Sequence, residues 1–340
     1  MRAALAVLAC ALAACAAPRL SETQLRRPSS GFDWRLPPGF PVPSVPADNP
    51  VSSAKVELGR ALFYERRLSI NGTLACAGCH QQARGFTDGR PHAIGATGAR
   101  HPRSAMALAN VAYNAAFTWI DRRPGSLEEQ MAQPLFNEHP VEMGLRPPAV
   151  EAVRLLAADG RYRELFHRAF PADPKPVRLP NIVRAIASFE RTLISGRSAF
   201  DRYVFDDDRA ALDAAARRGM ELFFSTRAGC SACHTGLTLG GARALYANTT
   251  VERGQRQAVR VPSLRNIEVT APYMHDGSLA TLDDVLEHYS AGGRYRSRYT
   301  DSRLRPLGLS PAERQDLVKF LDSLTDREFL SDPRFAEPQP

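Results

Sequence analysis

Two stretches of the 340-residue chain carry apolar residues at spacings of three and four positions. They are SAKVELGRALFYE at 53–65 and ALDAAARRGMELFF at 211–224. This spacing is that of an amphipathic helix, so each stretch predicts a helix with one buried face. Both stretches contain a glycine followed three residues later by Leu-Phe, at Gly59 and at Gly219. The repeated pattern suggests that the same unit occurs twice.

Two further helices are predicted near the C-terminus from their capping residues. Thr281 with Asp284 begins one that runs to about Tyr289, and Ser310 with Glu313 begins the other. The apolar face of the last helix is formed by Leu317, Phe320, Leu321 and Leu324. Together these patterns predict a mainly α-helical fold.

The N-terminal segment has the features of an export signal. Residues 1–15 combine one basic residue with a short apolar run, which is too short to span a bilayer. The run ends in Leu-Ala-Ala-Cys, which resembles the lipobox of bacterial lipoproteins and predicts lipidation of Cys15; an ordinary signal with an incidental cysteine is the alternative. Residues 16–50 are rich in proline and predict an extended linker that then wraps onto the first domain.

Length and charge narrow the classes of function. A chain of this length suggests about two domains, each able to bury its own core. The formal net charge is +8, but the arginines are spread along the chain without a dense run. Nucleic-acid binding is therefore disfavoured; a basic chain can also bind a membrane surface or an acidic protein, and arginines that neutralise buried carboxylates are the structural alternative. We expect membrane contact only through a lipid on Cys15.

The cysteines carry the strongest chemical signal. Apart from Cys10 and Cys15 in the signal segment, they form two C-x-x-C-H motifs, CAGCH at 76–80 and CSACH at 230–234. In such a motif both thiols attach covalently to a haem and the histidine ligates its iron. The predicted attachment residues are Cys76, Cys79 and His80 for one haem, and Cys230, Cys233 and His234 for the other.

Zinc binding and thiol–disulfide exchange are the alternatives for these motifs. A Cys₄ zinc site would join two pairs that lie far apart in sequence, and zinc does not require a histidine after each pair. A thioredoxin-like motif needs a βαβ context, and neither flank has a strand pattern. We therefore predict two tandem cytochrome c-like domains at 51–205 and 206–330, each with one covalent c-type haem.

Longer motifs resemble a known family. The stretches LGRALFYERRLS, CAGCHQQARGFTDG, PVEMG, VPSLRN and TAPYMHDGSLATL are similar to those of the bacterial diheme cytochrome c peroxidase and MauG superfamily, over about residues 50–325. FDWRLPPGFPVP, DNPVSSAKVELGR and HPRSAMALANVAYN resemble the MbnH-like branch most closely. Those enzymes use peroxide to oxidise a tryptophan to kynurenine on a copper-binding partner.

The resemblance implies different environments for the two irons. Tyr289 matches the sixth ligand of the C-terminal haem, where the peroxidases have methionine and the MauG-like enzymes tyrosine. An anionic oxygen ligand favours higher oxidation states of iron. The alternatives are a core role for Tyr289 with ligation by Met274, His275 or His288. At the N-terminal haem, the position of the capping histidine of the peroxidases is Ala96, which cannot ligate iron; His92 and His101 are nearby alternatives.

Catalytic roles follow from the same resemblance. Glu142 in PVEMG matches the acid–base group that moves a proton during peroxide cleavage, and Gln130 would orient the peroxide or a water. Trp119 matches a tryptophan between the haems that relays electrons; a structural aromatic role is the alternative. Trp34 receives no role. The resemblance also implies a calcium ion between the haems. Thr270 and Pro272 match two of its ligand positions, and Ser104 stands where the family has a ligating asparagine.

The predicted function is that of a periplasmic diheme c-type oxidoreductase. It uses H₂O₂ to form a high-valent diheme state, which oxidises a partner protein, with tryptophan on a small exported copper-binding protein as the implied substrate. One alternative is a conventional diheme cytochrome c peroxidase that takes electrons from a small cytochrome. A non-catalytic diheme electron carrier is the other.

Overall fold

A computed structural model describes residues 31–241 and 244–339. The described chain is mainly α-helical, as predicted, with one two-stranded antiparallel sheet formed by β1 (Tyr246–Ala247) and β2 (Val259–Arg260). The helices are α1 (Ser53–Phe63), α2 (Cys76–Cys79), α3 (Leu127–Gln130), α4 (Ala132–Phe136), α5 (Val150–Ala158), α6 (Gly160–Ala169), α7 (Leu179–Glu190), α8 (Ala199–Phe205), α9 (Ala214–Phe224), α10 (Leu282–Ser290) and α11 (Pro311–Asp322). Short 3₁₀ helices lie at Arg66–Leu68, Gln82–Arg84, Val111–Tyr113, Cys230–Ala232, Ile267–Val269 and Phe329–Ser331.

The helices predicted from capping residues are confirmed. Thr281 and Asp284 form a reciprocal capping box at the start of α10, and Ser310 and Glu313 form one at the start of α11. Each box satisfies two backbone N–H groups that have no partner within the helix. The predicted apolar residues Leu317, Phe320 and Leu321 of α11 are buried, and so is Leu324, just after the helix ends.

Each domain is built around one close helix crossing that depends on glycine. In the first domain α1 crosses α7 at Gly59, where a β-carbon would lie 1.9 Å from the carbonyl oxygen of Ala185. In the second domain α9 crosses α11 at Gly219, where a β-carbon would lie 1.9 Å from the carbonyl oxygen of Asp316. The repeated glycine of the sequence is therefore the contact point of both helix pairs.

The repeat extends beyond the helix pairs. Asn110 and Asn266 each adopt a left-handed backbone conformation with φ of 60° and begin a 3₁₀ helix. The backbone N–H of Asn110 donates to the carbonyl of Leu193 at 2.7 Å, and that of Asn266 donates to Leu324 at 3.1 Å. The same local structure thus follows each haem motif and is bonded to the segment just after α7 in the first domain and just after α11 in the second.

Each hydrophobic core includes residues from a chain segment that adjoins the other core in sequence. Phe200 of α8 belongs to the core of the second haem motif, where its ring lies 5.7 Å from that of Phe320. The C-terminal residues Phe329 and Phe335 belong instead to the core of the first. The chain therefore passes between the cores more than once.

The described part of the proline-rich segment lies against the folded domains. Phe40 is buried, with its ring 5.9 Å from that of Tyr113 and beneath the guanidinium of Arg265. Asn49 is also buried and donates to the Glu128 carboxylate at 2.7 Å. Residues 31–50 are thus an ordered part of the structure.

The predicted signal segment, with Cys10 and Cys15, lies outside the described residues. Within the described residues, no helix combines the length and hydropathy that a membrane crossing requires.

Candidate di-haem active site

The first haem motif forms a short helix with its histidine at the C-cap. Cys76 and Cys79 begin and end α2, and the backbone N–H of His80 donates to the Cys76 carbonyl at 3.0 Å. The Nδ1 atom of His80 lies 2.9 Å from the carbonyl oxygen of Phe86. Because a carbonyl only accepts, Nδ1 carries the proton and Nε2 keeps a lone pair for a metal.

The second motif repeats this geometry. The backbone N–H of His234 donates to the Cys230 carbonyl at 2.9 Å, and its Nδ1 lies 2.8 Å from the carbonyl oxygen of Leu239. An aromatic ring stands beside each histidine, with Phe63 6.5 Å from His80 and Phe223 6.4 Å from His234. The residues that follow the two motifs differ in sequence. In both, a backbone carbonyl nevertheless orients the histidine in the same way.

Burial keeps the haem-binding groups of the motifs neutral. Burial raises the pKa of Cys76 to about 12 and that of Cys79 to about 11, so both thiols are neutral. Burial likewise lowers the pKa of His80 and His234, which keeps each imidazole neutral and able to ligate. All four cysteines are free of disulfides.

The zinc alternative finds no support in the described residues. There, no three or more His, Cys, Asp or Glu side chains converge on a common metal position. The two cysteine pairs therefore do not meet in a Cys₄ site. The donors that are present, two free thiols and one oriented imidazole per motif, fit a covalent c-type haem in each domain.

An internal cavity opens beside the second motif. Its wall includes both cysteines of that motif, His234 and Tyr289 of α10. Met274 and His275 also line it, whereas His288 places its Nε2 2.9 Å from the carbonyl oxygen of Thr249. Tyr289, Met274 and His275 therefore line the same cavity as the haem attachment residues of the second motif.

Burial controls the protonation of Tyr289. The protein around the phenol removes it from water and raises its pKa well above the usual value, with a smaller contribution from the Cys230 and Cys233 thiols. A phenolate at this position therefore needs a compensating cation. Ferric haem iron supplies one, as metal coordination favours the deprotonated ligand.

Glu142 lies in a turn that is held from several sides. Gly95 packs so closely against this turn that a β-carbon on it would lie 1.8 Å from the carbonyl oxygen of Val141. The backbone N–H of the following residue, Ala96, donates to the Glu142 carbonyl at 2.7 Å. The backbone N–H of Met143, the residue after Glu142, donates to the carbonyl of Pro134 at 2.9 Å. The carboxylate is thus presented by a fixed backbone.

The Glu142 carboxyl group is partly desolvated and has two polar neighbours. Burial raises its pKa, while the nearby His101 ring and a hydrogen bond from Asn137 lower it. The His101 Nε2 atom lies 3.7 Å from Oε1 of Glu142, and Asn137 donates to the same oxygen at 3.4 Å. The pKa of Cys79 is raised in part by Glu142, which places the carboxyl near the first haem motif.

Ala96 lies in the same loop with both backbone groups engaged. Its carbonyl accepts from the Asn71 side chain at 2.7 Å, in addition to the bond that its N–H donates to Glu142. A methyl group at this position offers no ligand to iron. His92, the other histidine considered for ligation, directs Nδ1 to the carbonyl of His101 at 3.0 Å.

Counting residues from the N-caps of α3 and α10 identifies a counterpart of Tyr289 in the first domain. Ser126 caps α3 as Thr281 caps α10, each accepting from the backbone N–H three residues later. Tyr289 follows its cap by eight residues, and Pro134 follows Ser126 by eight. Proline has no metal-binding side chain, so the position equivalent to Tyr289 offers no ligand. Gln130 ends α3 in a half-buried position.

Trp119 lies where the two haem regions meet. Its indole Nε1 donates to the carbonyl of Ser104 at 3.0 Å, and its ring lies 6.3 Å from that of His275 on the wall of the C-terminal cavity. Thr87, adjacent to the carbonyl that orients His80, lines the same cavity. The tryptophan thus borders the C-terminal cavity close to the segment that follows the first motif.

The three residues matched to calcium ligands lie at this junction. The Ser104 hydroxyl donates to the carbonyl of Met274 at 3.2 Å, and the Thr270 hydroxyl donates to Ile267 at 3.1 Å. Thr270 and Pro272 line the cavity together with Ser104. The structure therefore brings these three residues to one region.

Comparison with known proteins agrees with this arrangement. The profile of the di-haem cytochrome c peroxidase family matches residues 53–209, and the cytochrome c profile matches 216–325. The methylamine utilization protein MauG of Methylorubrum extorquens is 38% identical over 333 residues, covering 94% of this chain and 90% of that protein. The chain belongs to the di-haem cytochrome c peroxidase and MauG family.

Further relatives of this di-haem enzyme span both branches of the family. Cytochrome c551 peroxidase of Pseudomonas aeruginosa is 33% identical over 298 residues, covering 82% of this chain and 81% of that protein. The crystal structure of a MauG-like protein associated with microbial copper homeostasis superposes with a TM-score of 0.86 at 37% identity, covering 90% of this chain and 99% of that one. The enzyme is therefore a peroxidase-type oxidoreductase with two c-type haems.

Some residues of the di-haem site carried no clear signal in the sequence. His101 was considered as an iron ligand, but the structure places it beside the Glu142 carboxylate. Asn137 was not identified, although it lies five residues before Glu142 in the same turn. Pro134 is recognised as the counterpart of Tyr289 only after the N-caps of α3 and α10 are aligned.

Proposed function

We propose that this enzyme acts in the periplasm, where it uses H₂O₂ as the oxidant and withdraws electrons from a partner protein. The proposal rests mainly on one asymmetry. A carboxyl group, Glu142, lies near the first haem motif with Ala96 and Pro134 at the positions where ligands would be expected. Tyr289 lines the same cavity as the second motif.

The protein supplies proton transfer at one haem and an anionic ligand at the other. When bound, the two haems supply the redox chemistry by accepting oxidising equivalents from H₂O₂. Glu142 accepts a proton from the peroxide and returns it to the departing oxygen, and His101 holds the carboxylate through its Nε2. General acid–base help of this kind contributes about 10²–10⁴-fold in rate.

Tyr289 would hold the C-terminal haem iron through its phenolate oxygen, and Trp119 would relay electrons between the haem regions. Gln130 would orient the peroxide or a water molecule. The first two assignments are supported by the cavity shared by Tyr289 and the second motif, and by the position of Trp119 on its wall. Their role is to let the oxidising equivalents be held until a partner binds.

The partner is proposed to be a small exported copper-binding protein, with a tryptophan as the oxidised residue. The support is the similarity to the MauG-like protein associated with microbial copper homeostasis. A lipid on Cys15 would hold the enzyme at the membrane where exported proteins pass.

A conventional cytochrome c peroxidase is the second candidate, favoured by the similarity to the Pseudomonas aeruginosa enzyme. Such an enzyme requires reduction of one haem before it reacts. Tyr289 and Ala96 both disfavour it, since neither is the residue that the peroxidases use at these positions. A pure electron carrier is disfavoured by Glu142, which such a protein does not need.

One measurement distinguishes these functions. One equivalent of H₂O₂ is added to the as-isolated diferric protein, and the absorption spectrum is followed. We expect an immediate, long-lived spectral change without prior reduction. A change only after half-reduction would identify a conventional peroxidase, and no change in either state would identify an electron carrier.

A calcium ion is proposed at Ser104, Thr270 and Pro272, since hydroxyl and carbonyl oxygens suit Ca²⁺ and water can complete its shell. Calorimetric titration of the chelator-treated protein with Ca²⁺ is expected to show one site. A Ser104→Ala variant with unchanged affinity would remove that residue from the ligand set.

A further inference from the structure

Two loops form an exposed surface of arginines and tyrosines beside the second haem motif. We call it the arginine–tyrosine surface and define it as residues 252–257 and 294–305. Arg253 lies over the ring of Tyr295 at 5.4 Å. Arg256 and Arg298 lie over Tyr299 at 5.9 and 4.9 Å. Both tyrosine rings remain more than one-third exposed.

The charge of this surface is strongly one-sided. It holds seven arginines and two acidic residues, Glu252 and Asp301, for a net charge of +5 in a chain whose total is +8. Asp301 is engaged with Arg303 at 2.6 Å. Arg253, Arg256 and Arg298 instead face aromatic rings, so their guanidinium groups keep their charge without a carboxylate. The surface therefore presents unneutralised positive charge.

The surface borders the C-terminal haem site. Asp301, Arg303 and Arg305 line the cavity that also holds Cys233 and Tyr289. On the other side, Arg253 and Arg256 line an open cleft that shares His275 and Val259 with the wall of that cavity. The positive charge thus lies at the border of the cavity that contains the residues of the second haem motif.

Backbone contacts tie the second loop to residues 248–250, directly before the first loop. The N–H of Tyr295 donates to the carbonyl of Thr250 at 3.0 Å, and the N–H of Asp301 donates to Asn248 at 3.0 Å. The Arg296 guanidinium closes its own loop by donating to the carbonyls of Gly292 and Leu304 at 2.7 and 2.9 Å. A surface fixed in this way loses little conformational entropy when a partner binds.

We propose that the arginine–tyrosine surface docks an acidic face of the protein that exchanges electrons with the C-terminal haem. Arginine forks match carboxylates, and arginine and tyrosine are enriched in protein interfaces. A protein partner is favoured over a lipid surface because the charge lies around the haem cavity, where a redox protein gains from close approach. The inference deepens the proposed function by specifying the chemistry of the partner.

The test uses the diferric holoprotein and no peroxide, so its outcome is independent of the peroxide chemistry. A reduced plant-type [2Fe–2S] ferredoxin serves as an acidic protein donor, and haem reduction is followed by stopped-flow absorption. Neutral lumiflavin semiquinone, generated by a flash, serves as a small donor without charge. The variants are Arg256→Glu with Arg298→Glu, and a matched control of Arg66→Glu with Arg146→Glu on the first domain.

We expect the variant of the arginine–tyrosine surface to lower the second-order rate with ferredoxin at least tenfold at low salt, with little change for lumiflavin. Steering of this size is typical of complementary surfaces, and added salt removes the difference. The matched control changes the net charge equally, so it measures the effect of total charge. Its rate is expected to remain within about twofold of the parent.

Two outcomes would overturn the proposal. Equal losses in both variants would show that only the total charge matters. An unchanged ferredoxin rate, with loss of binding to vesicles of anionic phosphatidylglycerol, would assign the surface to a membrane instead. Unaltered haem absorption spectra of each variant establish that its folding and haem attachment are intact.

Discussion

At the scale of single residues, the protonation of Glu142 governs the proposed reaction with peroxide. Burial raises the pKa of this carboxyl above its ordinary value, and only the ionised form can accept a proton from H₂O₂. The rate should therefore increase as the pH rises through this elevated pKa. We expect Glu142→Gln to lower the rate by about 10²–10⁴-fold and to abolish this pH dependence.

Stopped-flow reaction of the diferric protein with H₂O₂ across a range of pH measures both effects. Glu138→Gln is the matched control, because this exposed residue lies in the same turn. His101→Ala removes a group that lowers the Glu142 pKa, so it should move the profile to higher pH. A wild-type pH profile in Glu142→Gln would exclude Glu142 as the proton acceptor.

A second prediction concerns the ligand of the C-terminal iron. Tyr289→Met replaces an anionic oxygen with a thioether, which favours ferrous iron. The reduction potential of that haem should therefore rise, within the range of about 0.8 V that axial ligands span. Spectroelectrochemistry measures the change. Met274→Leu lies on the same cavity wall and should leave the potential nearly unchanged; a fall in this variant instead would identify Met274 as the ligand, because the loss of a thioether ligand disfavours ferrous iron.

The chemistry of attachment could be predicted from sequence because it is local. C-x-x-C-H contains all three attachment residues within one helical turn, so no tertiary information is needed. Glu142 was identified only through family motifs, since a glutamate in a loop has no local signature. The contact of His101 with Glu142 could not be predicted, because it depends on how two loops of different sequence meet.

At the scale of elements, the glycines in the helix crossings set how closely the paired helices approach. Gly219→Ala places a methyl group 1.9 Å from the Asp316 carbonyl, so α9 and α11 must separate. Overpacking of this kind costs about 1–3 kcal/mol or more of unfolding free energy. Gly59→Ala should have a similar effect between α1 and α7.

Chemical denaturation followed by circular dichroism measures these losses. Gly31→Ala is the control, because a β-carbon there meets no neighbour within 4 Å. Stability equal to the parent in both crossing variants would contradict the assigned role of the glycines.

Helix starts with reciprocal caps were predictable, as α10 and α11 show, because the cap and its partner lie three residues apart. The pairing of α1 with α7 was not, since the sequence gives no measure of which distant helix covers an apolar face. The equivalence of Pro134 and Tyr289 also required the structure, because α3 and α4 are short and their shared pattern is weak.

At the scale of the whole molecule, one buried carboxylate joins the two domains. Asp326 follows the last helix and accepts from the backbone N–H groups of Gly196 and Arg197, both at 2.9 Å. Its own N–H donates to Asn266 at 2.9 Å. We expect Asp326→Asn to cost on the order of 2–3 kcal/mol of unfolding free energy, because hydrogen bonds to a charged acceptor are lost.

Thermal and chemical unfolding of the holoprotein measure this cost. Asp332→Asn is the control, since its carboxylate pairs with an arginine at the surface. Limited proteolysis adds a second readout: the residues after Asp326 should become accessible in Asp326→Asn. Protection of that segment equal to the parent would contradict a linking role for Asp326.

The return of the C-terminal tail to the first domain has a consequence for the order of assembly. Phe329 packs against Phe86, and Gln82 donates to the carbonyls of Phe329 and Asp332 directly after the first haem motif. Residues 329–335 are translated after both haem motifs, so the first hydrophobic core stays incomplete until they pack against it. We therefore expect the first attachment site to remain accessible to haem until this segment has been made.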